Sequence, residues 1–167
     1  MRETLVLLAL AWLIPFLVHL IPWSAPRPLG AYLLPMFWAT FVAVYFYGAA
    51  VGLLTGLFAP AMNLLLTGLP AARVLGGMSL ELVVFVVAMA WAVRHAPRCW
   101  LLAPLGYFLA RTVTVLVLSP GEILTHADAA GHFFTHLVVG GAAGLVILAI
   151  INAALVKFYP KSAELVV

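Results

Sequence analysis

Six stretches of this chain, residues 4–22, 29–47, 48–66, 74–93, 99–118 and 132–155, consist almost wholly of apolar side chains. A helix rises 1.5 Å per residue, so about 20 such residues cross a hydrocarbon layer roughly 30 Å thick. It also satisfies its backbone hydrogen bonds internally, as any lipid-exposed segment must. Of the 167 residues, 66% are hydrophobic and 8% charged, with a mean hydropathy of +1.22. Soluble domains carry roughly 25% charged residues, and this chain has too little polar surface to cover its apolar content in water. The expected fold is an all-α integral membrane protein, a compact bundle of six transmembrane helices forming one domain over residues 1–167.

Only Tyr47-Gly48 separates the second stretch from the third, so a tight glycine turn or a kink at Gly48 is expected there. The opening stretch exceeds the usual 7–15 residues of a signal-peptide core, and Trp23-Ser24-Ala25 makes a poor cleavage site, so it reads as a true helix. Eight Lys and Arg residues scattered along the chain form no basic patch, which excludes nucleic acid as a partner. The lone cysteine, Cys99, excludes an intrachain disulfide and a thiolate metal cluster.

Lysine and arginine gather on the cytoplasmic side of membrane proteins. With both termini inside, that side receives Arg2, Arg94, Arg98, Lys157 and Lys161, against Arg27 and Arg73 outside. Residues 119–131, the longest outer loop, hold Glu122 and Asp128 but no Lys or Arg. Trp23 and Tyr32 fall at the outer interface, and Trp91, Trp100, Phe158 and Tyr159 at the inner one. No Gly-rich phosphate loop, HExxH or Gly-x-Ser-x-Gly motif is present, so neither ATP binding nor catalysis is expected of the chain.

Gly48, Gly52 and Gly56 recur every fourth residue up to Pro60, and Gly140 and Gly144 form a shorter pair in the last helix. Such stripes let helix backbones approach closely, here most simply inside the bundle. More telling are polar groups at membrane depth, which are costly and so are candidates for function. Glu81 and Arg111 lie at similar depths in the fourth and fifth helices, within reach of an ion pair. His19, Asn63, His132 and His136 join them in the outer half, while the inner halves are nearly pure Leu, Val and Ala. An outward-facing polar pocket over an apolar floor is expected. A second possibility is a metal site built from His126, Asp128, His132 and His136, with the last two one helical turn apart.

Taken together, the string resembles the substrate-binding (S) subunits of energy-coupling factor vitamin transporters. The resemblance runs through Leu8-Ala9-Leu10-Ala11-Trp12-Leu13-Ile14-Pro15 with Val18-His19, Leu34-Pro35-Met36, and the glycine series ending at Ala59-Pro60. It continues through Leu66-Thr67-Gly68-Leu69-Pro70, Met78-Ser79-Leu80-Glu81-Leu82, Ala110-Arg111 and the glycine-rich last helix. It implies a six-helix subunit of a bacterial or archaeal cytoplasmic membrane that binds a vitamin or related small molecule near the outer face. Its implied partners are a membrane coupling subunit and two cytoplasmic ATPases, with no cofactor of its own. By the same resemblance, Asn63, Glu81 and Arg111 match positions that line or approach the family's pocket, and His19 is carried over with them. Two positions depart from the family: Ala11 is followed four residues later by Pro15, and Leu34-Pro35-Met36 continues with Phe37 where related members often have His. A non-transport scaffold similar to the rod-shape protein D family is the rival expectation, and a metal-uptake subunit a third.

Overall fold

The computed structural model describes residues 9, 12–14, 16–18, 20–22, 24, 29–68, 71–118 and 129–161, and of residues 73, 129–134 and 136–138 the backbone alone. Among the described residues there are helices and no strands: α1 Leu29–Leu33, α2 Pro35–Thr67, α3 Ala72–His95, α4 Leu102–Leu118 and α5 Ala129–Phe158. Residues 12–14, 16–18 and 20 of the opening stretch are helical as well. Three segments, Pro35–Thr67, Val74–His95 and Val139–Phe158, are long and apolar enough to cross a membrane, and Leu102–Leu118 is a shorter apolar helix. The described residues are therefore all-α, with the helices of a membrane-embedded protein.

α2 is two helices joined by one residue. Gly48 has φ 81° and ψ −173°, a backbone region open essentially only to glycine. The limbs on either side fold back on one another. A Cβ built on Gly56 would lie 3.5 Å from Thr40 Cγ2, and one built on Gly52 would run into the Val44 side chain. Both pairs straddle Gly48 symmetrically, as an antiparallel hairpin requires. Of the two devices expected at Gly48, the structure uses the tight turn.

The stretch expected as one helix over 29–47 is broken at Leu34, which takes a left-handed φ of 52°. Pro35 explains the break, because a proline ring disfavours the helical region for the residue before it and is itself at ease in a helix's first turn. The Leu34 N–H still donates to Gly30 O at 3.0 Å, and the Trp38 indole donates to Leu33 O at 2.6 Å. Leu34 is buried against Gly141 and Gly144 of α5. The contact expected of the Gly140–Gly144 pair is thus made by Gly141 and Gly144, with Gly140 half-buried beside them. Smaller differences lie at helix ends: α5 runs from Ala129 to Phe158 rather than over 132–155, and α4 starts at Leu102 after a turn rather than at Cys99.

Glycine contacts set the remaining registers. α3 packs antiparallel to the second limb, with Leu82 against Gly56 and Val86 against Gly52. α4 runs antiparallel to α3, with Leu118 near Gly77, and Met89 and Phe85 over Gly106. α5 runs antiparallel to α4 and parallel to the first limb, facing Leu34 at Gly144 and Tyr45 at Leu155. Gly48, His95, Cys99 and Tyr159 therefore share one end of the bundle, the turn end. Leu34, Gly68, Ala72 and Leu118 share the far end.

Two hydrogen-bonded ties close the turn end. Asn152 is fully buried, with Oδ1 accepting the Ala103 N–H at 2.9 Å and Nδ2 donating to Cys99 O at 3.0 Å. The Ala103 N–H belongs to the first turn of α4, where no intrahelical acceptor exists. The buried Tyr45 hydroxyl donates to Tyr159 O at 2.8 Å, just past the end of α5. At the core's centre Phe37 meets Phe85 and Tyr107 edge-to-face, at centroid distances of 5.2 and 4.9 Å.

Replacing Gly48 with Ala should destabilise the detergent-solubilised protein by about 1–3 kcal/mol. Gly144→Ala should also lower the thermal midpoint, because its Cβ would meet the Leu33 carbonyl at 2.8 Å. Gly76→Ala, with nothing within 4 Å, is the control and should be neutral or stabilising, by at most about 1 kcal/mol.

Candidate functional site: a buried ion pair between α3 and α4

The antiparallel register of α3 and α4 brings Glu81 level with Arg111. Arg111 Nη1 donates to Glu81 Oε2 at 2.8 Å. The partners are unequally placed, the Glu81 side chain being 6% exposed and that of Arg111 45%. Glu81 lies about 14 Å along α3 from Ala72, and Arg111 about 10 Å from the last residue of α4, at 1.5 Å per residue. Both belong to the half of the bundle that ends at Leu34 and Leu118. The pair anticipated from matching depths is formed.

On α4 the residues Tyr107, Arg111 and Thr114 recur at helical spacing and share one face. The Tyr107 phenol is within electrostatic reach of both charges, and its ring packs on Phe37. Phe37 and Tyr107 thus form an aromatic wall beside the pair. Asn63 is buried on the second limb, nearer the far end than Glu81, and its backbone carbonyl accepts the Thr67 hydroxyl at 2.7 Å.

Threonines separate into two groups. Thr55, Thr67 and Thr112 donate to the carbonyl one turn back, at 2.9, 2.7 and 2.8 Å. Thr40 and Thr114 are equally deep in helices, at 0% and 4% exposure, yet their hydroxyls have no hydrogen-bond partner. An unpaired buried hydroxyl costs about 1–3 kcal/mol. Thr40 sits at mid-bundle opposite Gly56, and Thr114 one turn beyond Arg111 toward the far end.

The structure thus unites Glu81 with Arg111, with Asn63 buried in the same half. His19, His126 and Asp128 lie outside the described residues, and so do the side chains of His132 and His136, whose backbone belongs to α5. Among the described residues no group of three or more His, Cys, Asp or Glu gathers to hold a metal. Tyr107, Thr40 and Thr114 were not singled out from the sequence. Tyr107 was visible in principle, being one helical turn from Arg111. The two threonines were not, because a helical threonine ordinarily bonds its own backbone.

Guanidinium carries five N–H donors in a planar fork. With Nη1 on Glu81 and nearly half of the side chain open, Arg111 keeps donors for a carboxylate, carbonyl or ring nitrogen of a second molecule. Glu81 holds the fork in place from the buried side. No protein-family model matches the chain, nor does any curated protein or solved structure.

Arg111→Ala strands a buried carboxylate, and should cost about 3 kcal/mol, the low end for a broken buried pair because Arg111 is half open. Glu81→Gln keeps a neutral acceptor for the guanidinium and should change stability by less than about 1 kcal/mol. Adding Glu81→Gln to Arg111→Ala should recover most of the loss. Chemical unfolding in detergent measures all three, and equal losses in the two single variants would contradict this asymmetry.

Proposed function

We propose that this chain is the substrate-capturing membrane subunit of an energy-coupling factor uptake transporter, a six-helix, multi-pass protein of a bacterial or archaeal cytoplasmic membrane with both termini inside. The observation that carries the reading is the Glu81–Arg111 pair, set among the unpaired hydroxyls of Thr40 and Thr114. Lipid has no hydrogen bonds to offer, so polar groups left unpaired at this depth favour an incoming polar solute or water over an empty interior. The solute would be a vitamin or related small molecule with a planar acceptor for Arg111 and a ring for the aromatic wall of Phe37 and Tyr107.

Orientation supports the same reading. Arg94, Arg98, Lys157 and Lys161 all belong to the turn end, which the positive-inside rule assigns to the cytoplasm. Glu81 and Arg111 then fall in the outer half, where a solute arrives. Energy would come from a membrane coupling subunit and two cytoplasmic ATPases, since the chain has no phosphate loop.

Two measurements test this. Mass spectrometry of the protein purified gently from its own membranes should find a small polar organic molecule retained. Glu81→Gln should weaken that retention at least about tenfold, the worth of one hydrogen bond to a charged group, while the ligand-free protein keeps its thermal midpoint. ATPase subunits should co-purify. Recovery of peptidoglycan-synthesis proteins instead, with no retained molecule, would replace the transporter by a scaffold.

A further inference from the structure

Four cationic side chains gather at the turn end: Arg94 at the close of α3, Arg98 in the turn after it, and Lys157 and Lys161 around the end of α5. Among the described residues the sole carboxylate side chain is Glu81, more than three turns away along α3 and already engaged by Arg111. This end therefore holds positive charge with no described counter-ion.

One of the cations, Lys161, sits on a built surface. The segment after α5 is fastened beside the Gly48 turn, because the Tyr45 hydroxyl donates to Tyr159 O at 2.8 Å and the Phe46 and Tyr159 rings meet at 5.4 Å. That fastening sets Lys161 Nζ over the Tyr45 ring, 5.1 Å from its centroid. Partial burial first, and then the Arg94 charge, hold the Lys161 ammonium below the usual lysine range. Like charges gathered at one end of a bundle repel one another until an anion neutralises them. Trp91, Trp100, Phe158 and Tyr159 stand exposed around the same end, as aromatic side chains do at the headgroup level of a bilayer.

We propose that the turn end carries a headgroup site for an anionic glycerophospholipid, whose phosphate is held by Lys161 with the support of the other cations of that end, Arg94 foremost. A lipid is favoured over a free anion because the cations sit inside a ring of exposed aromatics, next to apolar helix flanks where acyl chains can lie. The site is remote from Glu81 and Arg111 and does not depend on what they bind.

The test uses the full-length protein in neutral detergent, titrated with phosphatidylglycerol, phosphatidylcholine or inorganic phosphate, and read by native mass spectrometry and thermal midpoint. Phosphatidylglycerol should be retained and should raise the midpoint, while phosphatidylcholine should do neither. Lys161→Gln should weaken phosphatidylglycerol binding about fivefold, and the double variant Arg94→Gln/Lys161→Gln about thirtyfold, at roughly one fivefold step per surface cation. If the double variant fails to fold, the exposed-site variant Lys161→Gln decides alone. Glu164→Gln, in the tail beyond the described residues, should leave binding unchanged. Equal retention of the two lipids, displacement of phosphatidylglycerol by millimolar inorganic phosphate, or tighter binding in Glu164→Gln would each overturn the proposal. Those outcomes point in turn to non-selective annular contact, a free-anion site, and neutralisation by the chain's own tail.

Discussion

Helices in hydrocarbon gain nothing from hiding apolar side chains from lipid, so what holds them together is close backbone approach and the few polar groups that find partners. In this bundle the approach is set by glycine. Gly52 and Gly56 admit Val44 and Thr40 from the first limb of α2 and also Val86 and Leu82 from α3. One glycine face thus serves two neighbours and fixes the level of both. The position of Glu81, one residue before Leu82, follows from that contact, and the position of Arg111 follows from the packing of Gly77 against Leu118 and of Gly106 against Met89 and Phe85. An ion pair between rigid helices forms only if register is right to a few ångströms, and steric contacts at residues with no side chain supply that register.

Polar groups are treated differently at the two ends. Near the turn, the amide of Asn152 and the phenol of Tyr45 are both engaged by backbone groups that helix ends leave over. Each tie joins segments far apart in sequence, so this end behaves as a clasp. From mid-bundle toward the far end, Glu81 has one partner and the hydroxyls of Thr40 and Thr114 have none. The first arrangement favours rigidity. The second leaves buried hydrogen-bonding capacity unused.

Much of this was legible in the sequence because hydrocarbon permits so few solutions. Apolar runs of about 20 residues announced helices, and two charges at equal depth announced a pair. Gly48 announced a tight turn or a kink, and the contacts of Gly52 with Val44 and of Gly56 with Thr40 decide for the turn. Leu34 was harder. Its left-handed backbone is dictated by Pro35 together with the notch at Gly141 and Gly144, and the notch is more than a hundred residues away. A single-residue shift, from Gly140 to Gly141, has the same origin: a Gly-x-x-x-Gly spacing reveals a smooth face but not which glycine a neighbour will meet. Thr40 and Thr114 were silent because their hydroxyls differ from those of Thr55 and Thr112 only by what surrounds them.

The one-residue reversal at Gly48 also bears on how such a chain reaches its membrane. Ordinary spans are threaded one after another, each polar loop being held back or passed across before the next helix follows. Residues 29–72 contain no charged side chain and, at the reversal, no loop at all. With nothing hydrophilic to translocate between them, the two limbs have no stable halfway state in which one is inserted and the other waits in water. The two limbs are thus a single unit for insertion, closed on itself where Val44 meets Gly52.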